Sequence, residues 1–214
     1  MRRLNRPRRF FLFEQRAKRN GYVTVCGLDE AGRGPLAGPV VAAAVVLKER
    51  KFRSRIDDSK RLSARQRETA FEEILKKAWV GVGQVEIEVI DRVNIFQASR
   101  LAMEEALSKL PVEPDFLLID GKVPLKTPHP REMIIHGDAR SLSIACASII
   151  AKVTRDRLML EYDKQFPQYG FRYHKGYGTE KHLAALKRYG PSPIHRQSFR
   201  PVALVKTSPH ADID

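Results

Sequence analysis

The chain is 214 residues long and 43% hydrophobic, which suits one sizeable domain with a real core. Its 39 lysines and arginines outnumber 25 acids, giving a net charge of +14, a balance that favours polyanionic partners, nucleic acid first. The two cysteines, Cys26 and Cys146, sit among small or apolar residues, so neither a disulfide framework nor a cysteine zinc site is expected.

The longest apolar run, Pro35 to Leu47, is interrupted by Gly38 and Pro39 and falls short of the ~20 residues a bilayer needs. The patch Phe10 to Phe13 is too short for a signal peptide. A cytoplasmic chain with no membrane partner is expected.

Met1 to Asn20 carries eight basic residues against one acid, Glu14, and reads as a basic arm over 1–20. Phe10 to Lys18 has the aromatic residues for a short docking helix. Met1 to Arg9 has two readings, a phosphate-contacting extension or a solvated tail.

Val23 to Leu28 and Val40 to Leu47 are apolar runs without clean alternation, which predicts two strands buried on both faces. Between them lie Asp29, Glu30 and the turn Gly32-Arg33-Gly34-Pro35, so the unit reads as a hairpin with a functional turn. A buried strand that ends in two carboxylates is costly unless something compensates, and a divalent cation is the simplest candidate.

Lys48 to Arg61 is polar and reads as a loop. Ser63 is an N-cap candidate for a helix through Lys77, with Ala70, Phe71, Ile74 and Leu75 as its apolar stripe. Val80 to Ile87 predicts a strand, and Val89 to Leu110 a helix broken near Asn94. Asp115 to Gly121 is a short buried strand that delivers Asp120 at its end. Glu132 to His136 predicts another strand, before Gly137 and Asp138. Ser143 to Phe166 predicts a long helix whose small first residues pack close to a sheet. Gln168 to Thr179 reads as an aromatic and basic loop, and Thr179 or Glu180 starts a helix through Arg188. Pro191 to Asp214 reads as a tail, with Ser198 to Val205 packing back. This order predicts an α/β domain with a mixed sheet whose strand ends gather acids at one edge.

Asp29, Glu30, Asp120 and Asp138 all sit at element ends. Oxygen-only ligands select Mg²⁺ or Mn²⁺ over zinc. In a basic protein such a set points to phosphoryl transfer, with two metals ~4 Å apart able to activate a water and stabilise the leaving oxygen. Singly, Asp120-Gly121 also reads as a plain turn and Asp138 as a helix N-cap. Lys60 and Arg61 read either as phosphate contacts or as a solvated pair, and His174 as a phosphate or a packing contact.

DEAGRGPLAGPV (Asp29 to Val40) resembles the signature of ribonuclease HII, the type 2 ribonuclease H. Five further stretches resemble that family in the same order: DDSKRLS, LLIDG, GDARSLSIACASIIAKVTRDRLM, FPQYGFRYHKGYGT and IHRQSFRPV. The resemblance implies a ribonuclease H-like fold, a central mixed β-sheet flanked by helices, with a catalytic domain over 21–166 and a helical C-terminal region over 167–214. It implies a metal-dependent endonuclease acting on RNA/DNA hybrids and, in DNA repair and replication, 5′ of single ribonucleotides in duplex DNA. It implies 3′-hydroxyl and 5′-phosphate ends with Mg²⁺ or Mn²⁺ as cofactor; a monomer is expected. On these motifs Asp29, Glu30 and Asp120 match the metal-binding acids, and Asp138 the fourth active-site acid. Gly32, Arg33 and Gly34 match the turn that reads the ribose 2′-hydroxyl. Tyr177 matches the tyrosine packed on the following deoxyribose. Lys60, His174 and Lys175 are further substrate-binding candidates.

His136, Lys122 and Cys146 depart from the residues common in that family, lysine, asparagine and alanine respectively. Three competing readings are ribonuclease HIII, a non-catalytic nucleic-acid-binding protein and a structure-selective DNA nuclease. The short arm and Arg33 disfavour the first. The four acids disfavour the second, because they would repel a polyanion unless metals neutralised them.

Overall fold

A computed structural model describes residues 8–207. The expected phosphate-contacting segment Met1 to Arg9 therefore lies almost wholly outside the described residues. A five-stranded sheet forms the centre, in the order β3-β2-β1-β4-β5. Its strands are β1 (Val25–Ala31), β2 (Val40–Leu47), β3 (Ala78–Val85), β4 (Phe116–Asp120) and β5 (Arg131–Ile134). β1 pairs antiparallel with β2 and parallel with β4, which makes the sheet mixed as expected.

The two apolar runs form the central hairpin, but β1 starts at Val25, leaves Val23 exposed and runs on through Asp29 and Glu30 to Ala31, paired with β2 where a turn was expected. Every residue of β2 from Val40 to Val46 is buried. The reason is a layer of helices on each face. Ala43 and Val45 pack with α2 (Ala64–Lys77) and α5 (Leu142–Gln165). Val40, Ala42, Ala44 and Val46 face the other way, onto α3 (Ile87–Val93) and α4 (Ile95–Ser108). Strand alternation thus feeds both layers from one continuous apolar run.

Local signals set several helix starts. Ser63 and Gln66 form a reciprocal capping box at α2. Asn94, at a φ of 69°, separates α3 from α4 and accepts hydrogen bonds from the backbone N–H groups of Phe96 and Gln97. Asparagine tolerates that left-handed backbone better than most residues. The strand expected through Ile87 stops at Val85. The Glu86 carbonyl accepts from Val89 and Ile90 instead, so Ile87 opens α3.

The N-terminal helix α1 (Leu12–Arg19) is built into the domain. Phe13 and Ala17 are buried, and Phe13 packs with Leu118, Ile134 and Ile144. Glu14 is buried too. Its Oε1 accepts from Ser141 Oγ (2.6 Å), Ser143 N (2.9 Å) and Ser143 Oγ (2.9 Å) at the start of α5.

Beyond α5 come the short α6 (Phe171–His174), α7 (Glu180–Tyr189) and α8 (Arg200–Thr207). The stretch read as a loop thus contains one helical turn, and the stretch read as a tail forms a helix. Val202 of α8 is buried with Leu36 and Leu186, which is the packing-back expected of Ser198 to Val205. No described helix is long and apolar enough to cross a membrane.

Candidate active site

Gly27 explains how α5 reaches the sheet. A Cβ there would stand 2.3 Å from the Ser143 carbonyl carbon, so only glycine admits the first turn of α5 over β1. Asp29 lies two residues on and shares that face. Asp120 ends β4, whose residue Ile119 is registered with Leu28 of β1. Asp138 lies in a short turn, Gly137–Ala139, just before α5. Carboxylate oxygens of Asp29, Asp120 and Asp138 lie within 4.8 Å of one another.

The two alternatives left open for single acids resolve here. Gly121 does make the turn, at a φ of 71°, yet the Asp120 carboxylate joins the cluster and accepts from Gly137 N at 2.6 Å. The N-cap of α5 is Ser141, which accepts from Ile144 N, so Asp138 is left to the cluster.

Burial and mutual repulsion make the cluster hungry for a cation. Asp29 is 5% exposed. Its pKa is pushed well above the usual range by burial, then by the charges of Glu30 and Asp120. Burial and the charge of Asp120 also raise Asp138. Glu30 is not in the three-acid cluster. Burial raises it, and Arg33, bonded to its Oε1 at 3.2 Å, pulls the other way. Its second oxygen, Oε2, is buried with no hydrogen-bond partner among the described residues. An orphaned buried carboxylate oxygen beside three repelling acids fits a hard divalent ion, and the donor set is all oxygen.

Around the acids, Lys60 Nζ stands 3.7 Å from Asp138 Oδ2. Burial works against its charge, but Asp138 and Asp58 outweigh it and its pKa is raised. Ser59 fixes that loop to α5 through Ser148, with the hydroxyls 2.9 Å apart.

The turn Gly32 to Gly34 runs beside Tyr177. A Cβ on Gly34 would be 3.7 Å from the Tyr177 ring. That ring is 42% exposed, and Lys152 Nζ lies 5.8 Å from its centroid. Two fully buried arginines stand behind the turn, and Arg196 bonds it directly. Arg196 donates to the carbonyls of Gly32 (2.6 Å), Arg33 (3.1 Å), Pro35 (2.8 Å) and Gly38 (2.8 Å). Arg155 donates to Pro39 (3.0 Å), Ala37 (3.0 Å) and Lys175 (3.0 Å). Gly32 has a φ of 102°, and a Cβ there would meet Arg155 Nε at 2.2 Å. Burial lowers the arginine pKa values to about 10 and about 9, so both stay charged at neutral pH.

His174 and Lys175 are turned into their own loop. Both ring nitrogens of His174 are engaged, with Tyr169 O (2.9 Å) and Gly176 N (3.2 Å). The Lys175 ammonium donates to the Arg172 carbonyl, and Lys175 itself has a φ of 52°. Arg155, Arg196, Ser148, His182 and His195 drew no role from the sequence. Arg155 did carry a signal: it falls in helical phase with the buried Ala151 and Met159.

The sequence profile of the family Ribonuclease HII matches residues 26–202. Ribonuclease HII of Acholeplasma laidlawii is 56% identical over 192 residues, covering 89% of this chain and 94% of that protein. The crystal structure of the ribonuclease H2 from Pyrococcus horikoshii OT3 is similar at a TM-score of 0.73 and 27% identity, covering 86% of this chain and 97% of that one. Bst-RNase HIII, solved in complex with Mn²⁺, shares the fold at a TM-score of 0.66 but only 16% identity, covering 86% of this chain and 69% of that one. With a mixed sheet flanked by helices, an acid cluster drawn from β1, the end of β4 and the turn before α5, a family profile matched over residues 26–202 and a relative 56% identical over 94% of its length, the chain belongs to the ribonuclease HII family of ribonuclease H endonucleases.

Proposed function

We propose that this chain hydrolyses the RNA strand of RNA/DNA hybrids and cuts on the 5′ side of a single ribonucleotide in duplex DNA, leaving 3′-hydroxyl and 5′-phosphate ends. The observation that supports this best is the juxtaposition of two devices: the Asp29, Asp120 and Asp138 cluster, and the Gly32 to Gly34 turn beside Tyr177.

Asp29, Glu30, Asp120 and Asp138 would hold Mg²⁺ or Mn²⁺. When bound, such an ion acts as a Lewis acid toward water and a phosphoryl oxygen. The chain's own part is positioning. Only a 2′-hydroxyl distinguishes RNA from DNA at one nucleotide. The carbonyls of Gly32 and Arg33 are pinned inward by Arg196. Each shares a trans peptide with the next N–H, so the N–H groups of Arg33 and Gly34 point away from the clamp, where they can meet that hydroxyl. The Tyr177 ring lies beside them to pack on a sugar that lacks the hydroxyl. Arg33 and Lys60 would meet phosphates. His174 and Lys175 serve substrate binding by shaping the Tyr177 loop.

Cleavage of a labelled DNA duplex with one ribonucleotide, in Mg²⁺, Mn²⁺ or EDTA, tests the reading against an all-DNA control. A metal-dependent cut 5′ of the ribonucleotide with the control intact is expected. Cutting of both duplexes would remove the 2′-hydroxyl assignment, and binding without cutting would return the chain to the binding-protein reading.

A further inference from the structure

Two buried histidines, His182 and His195, and the half-buried His174 lie behind the Tyr177 loop, and hydrogen-bond donors and acceptors fix the proton position on each. The Ser192 backbone N–H lies 2.9 Å from His195 Nδ1. A backbone N–H can only donate, so Nδ1 accepts and the neutral ring of His195 carries its proton on Nε2. That Nε2 stands 3.0 Å from His182 Nε2, which must therefore accept. The proton of His182 is left on Nδ1, 2.9 Å from the Tyr177 carbonyl, which can only accept. The chain starts at an obligate donor, ends at an obligate acceptor, and admits one pair of tautomers.

The surroundings keep it closed. His182 and His195 are fully buried. The Phe171 ring packs 5.5 Å from His182 and 5.6 Å from His195, and Tyr169 lies 4.9 Å from His195. His174 stacks on His182 at 4.4 Å. The neighbour of His195 is Arg196, whose guanidinium holds the Gly32 and Arg33 carbonyls. One dipeptide of the C-terminal segment therefore touches both devices, the turn through Arg196 and Tyr177 through the two histidines.

We propose that His182 and His195 are positioning residues, a tautomer-locked relay that fixes the Tyr177 backbone in register with the Gly32 to Gly34 turn and so sets the preference for a ribonucleotide–deoxyribonucleotide junction. The proposal rests on the reading of Tyr177 as the group that meets the deoxyribose.

Two measurements test it. In ¹⁵N-histidine-labelled full-length protein at neutral pH, long-range ¹H–¹⁵N spectra report the tautomer of each ring. The Nδ1–H form is expected for His182, against the Nε2–H form that a free imidazole favours, and the Nε2–H form for His195. A His182 in the Nε2–H form overturns the relay. The second measurement compares His182→Asn with His182→Gln, because the Asn amide overlays the Nδ1 position and the Gln amide the Nε2 position. Asn keeps a donor toward the Tyr177 carbonyl and Gln does not. The Tyr177 carbonyl also accepts from Thr179 N at 2.8 Å, so the ratio of cleavage at a single ribonucleotide to cleavage within a long hybrid should stay near wild type in Asn and fall about fivefold in Gln, the scale of one lost half-buried hydrogen bond. Equal losses in both overturn the relay. Tyr177→Ala is the control. A lowered ratio there with equal Asn and Gln sinks the relay alone, whereas an unchanged ratio there sinks the reading of Tyr177 and the relay with it.

Discussion

Arg196 Nη2 donates to the Gly32 carbonyl at 2.6 Å, from a side chain with no exposed surface. This one contact ties the C-terminal segment to the turn between the central strands, across 164 residues of chain. A buried guanidinium is costly to desolvate and is tolerated here because its donors all meet carbonyls. Those carbonyls need it in return.

Arg196→Lys should therefore be expensive although it keeps the charge. A lysine has three donors on one atom and no planar fork, so it cannot span the Gly32, Arg33, Pro35 and Gly38 carbonyls together. Each carbonyl left buried and unbonded costs about 1–3 kcal/mol. The melting temperature should fall clearly, and cleavage at a single ribonucleotide should fall more than cleavage within a long hybrid. Equal falls on the two substrates would mean that Arg196 only holds the fold together.

The acid cluster makes the opposite stability prediction. Asp29 has its pKa raised by burial and by Glu30 and Asp120, so holding it ionised at neutral pH works against the fold. Asp29→Asn removes that charge. It should raise the melting temperature of the metal-free protein, abolish cleavage and leave duplex binding intact. Mn²⁺ should also shift its melting temperature less than it shifts that of the wild type. Thermal denaturation with and without Mn²⁺ measures both. Normal turnover, or an undiminished Mn²⁺ shift, would remove Asp29 from the metal site.

How far the sequence revealed this site depends on the kind of signal each residue carried. Asp29 and Asp120 were legible because each follows an apolar run that had to be a strand, although only Asp120 ends its strand and β1 continues past Asp29 to Ala31. Their convergence with Asp138 was not, since it depends on the parallel β1–β4 register and on the close approach of α5 at Gly27. The arginine clamp was hidden by composition. In a chain with 39 basic residues, an arginine reads as surface, and only the helical phase of Arg155 marks it as buried. The helix at Arg200–Thr207 was hidden by the Gly190-Pro191 break before it, and its reason for folding is the distant cover that Leu36 and Leu186 give Val202. The strand end at Val85 was misjudged because the alternation of side chains continues into Ile87, while the backbone bonds to Glu86 O start α3.

Glu14 predicts a role in stability for a helix that a reading of charge alone would treat as a solvated arm. Its Oε1 is the shared acceptor of Ser141 Oγ, Ser143 N and Ser143 Oγ at the first turn of α5, the helix that follows Asp138. A carboxylate at a helix N-terminus also gains from the helix dipole. Glu14→Ala should cost about 2–3 kcal/mol, the loss of a buried charged acceptor with several donors. Urea denaturation measures it, and a change below about 0.5 kcal/mol, the usual range for surface substitutions, would show that α1 is not anchored there.

The buried histidines give the protein an acid limit whose sign can be worked out. His182 and His195 both have their pKa lowered to about 4, first by burial, then by the other imidazoles. The groups facing the pair are each other, the stacked His174, the rings of Tyr169 and Phe171, the Ser192 hydroxyl, and the backbone of Tyr177, Gly176 and Ser192. A second proton on His182 would set its Nε2–H against the Nε2–H of His195 at 3.0 Å, and one on His195 Nδ1 would face the Ser192 N–H at 2.9 Å, with the Ser192 hydroxyl at 2.8 Å able to accept it in part. The unfolded chain binds these protons near pH 6.5 and the folded chain only near 4. Their contribution to stability is therefore complete above about pH 6.5, declines as pH falls through that window and is gone below about 4. Melting temperatures from pH 8 to pH 4 should fall away more steeply in the wild type than in His182→Asn, which removes one of the two groups; the acid cluster, whose protonation works the other way, is common to both proteins. Parallel curves for the two proteins would mean that the acid loss comes from other groups and that His182 titrates alike in the folded and unfolded chains.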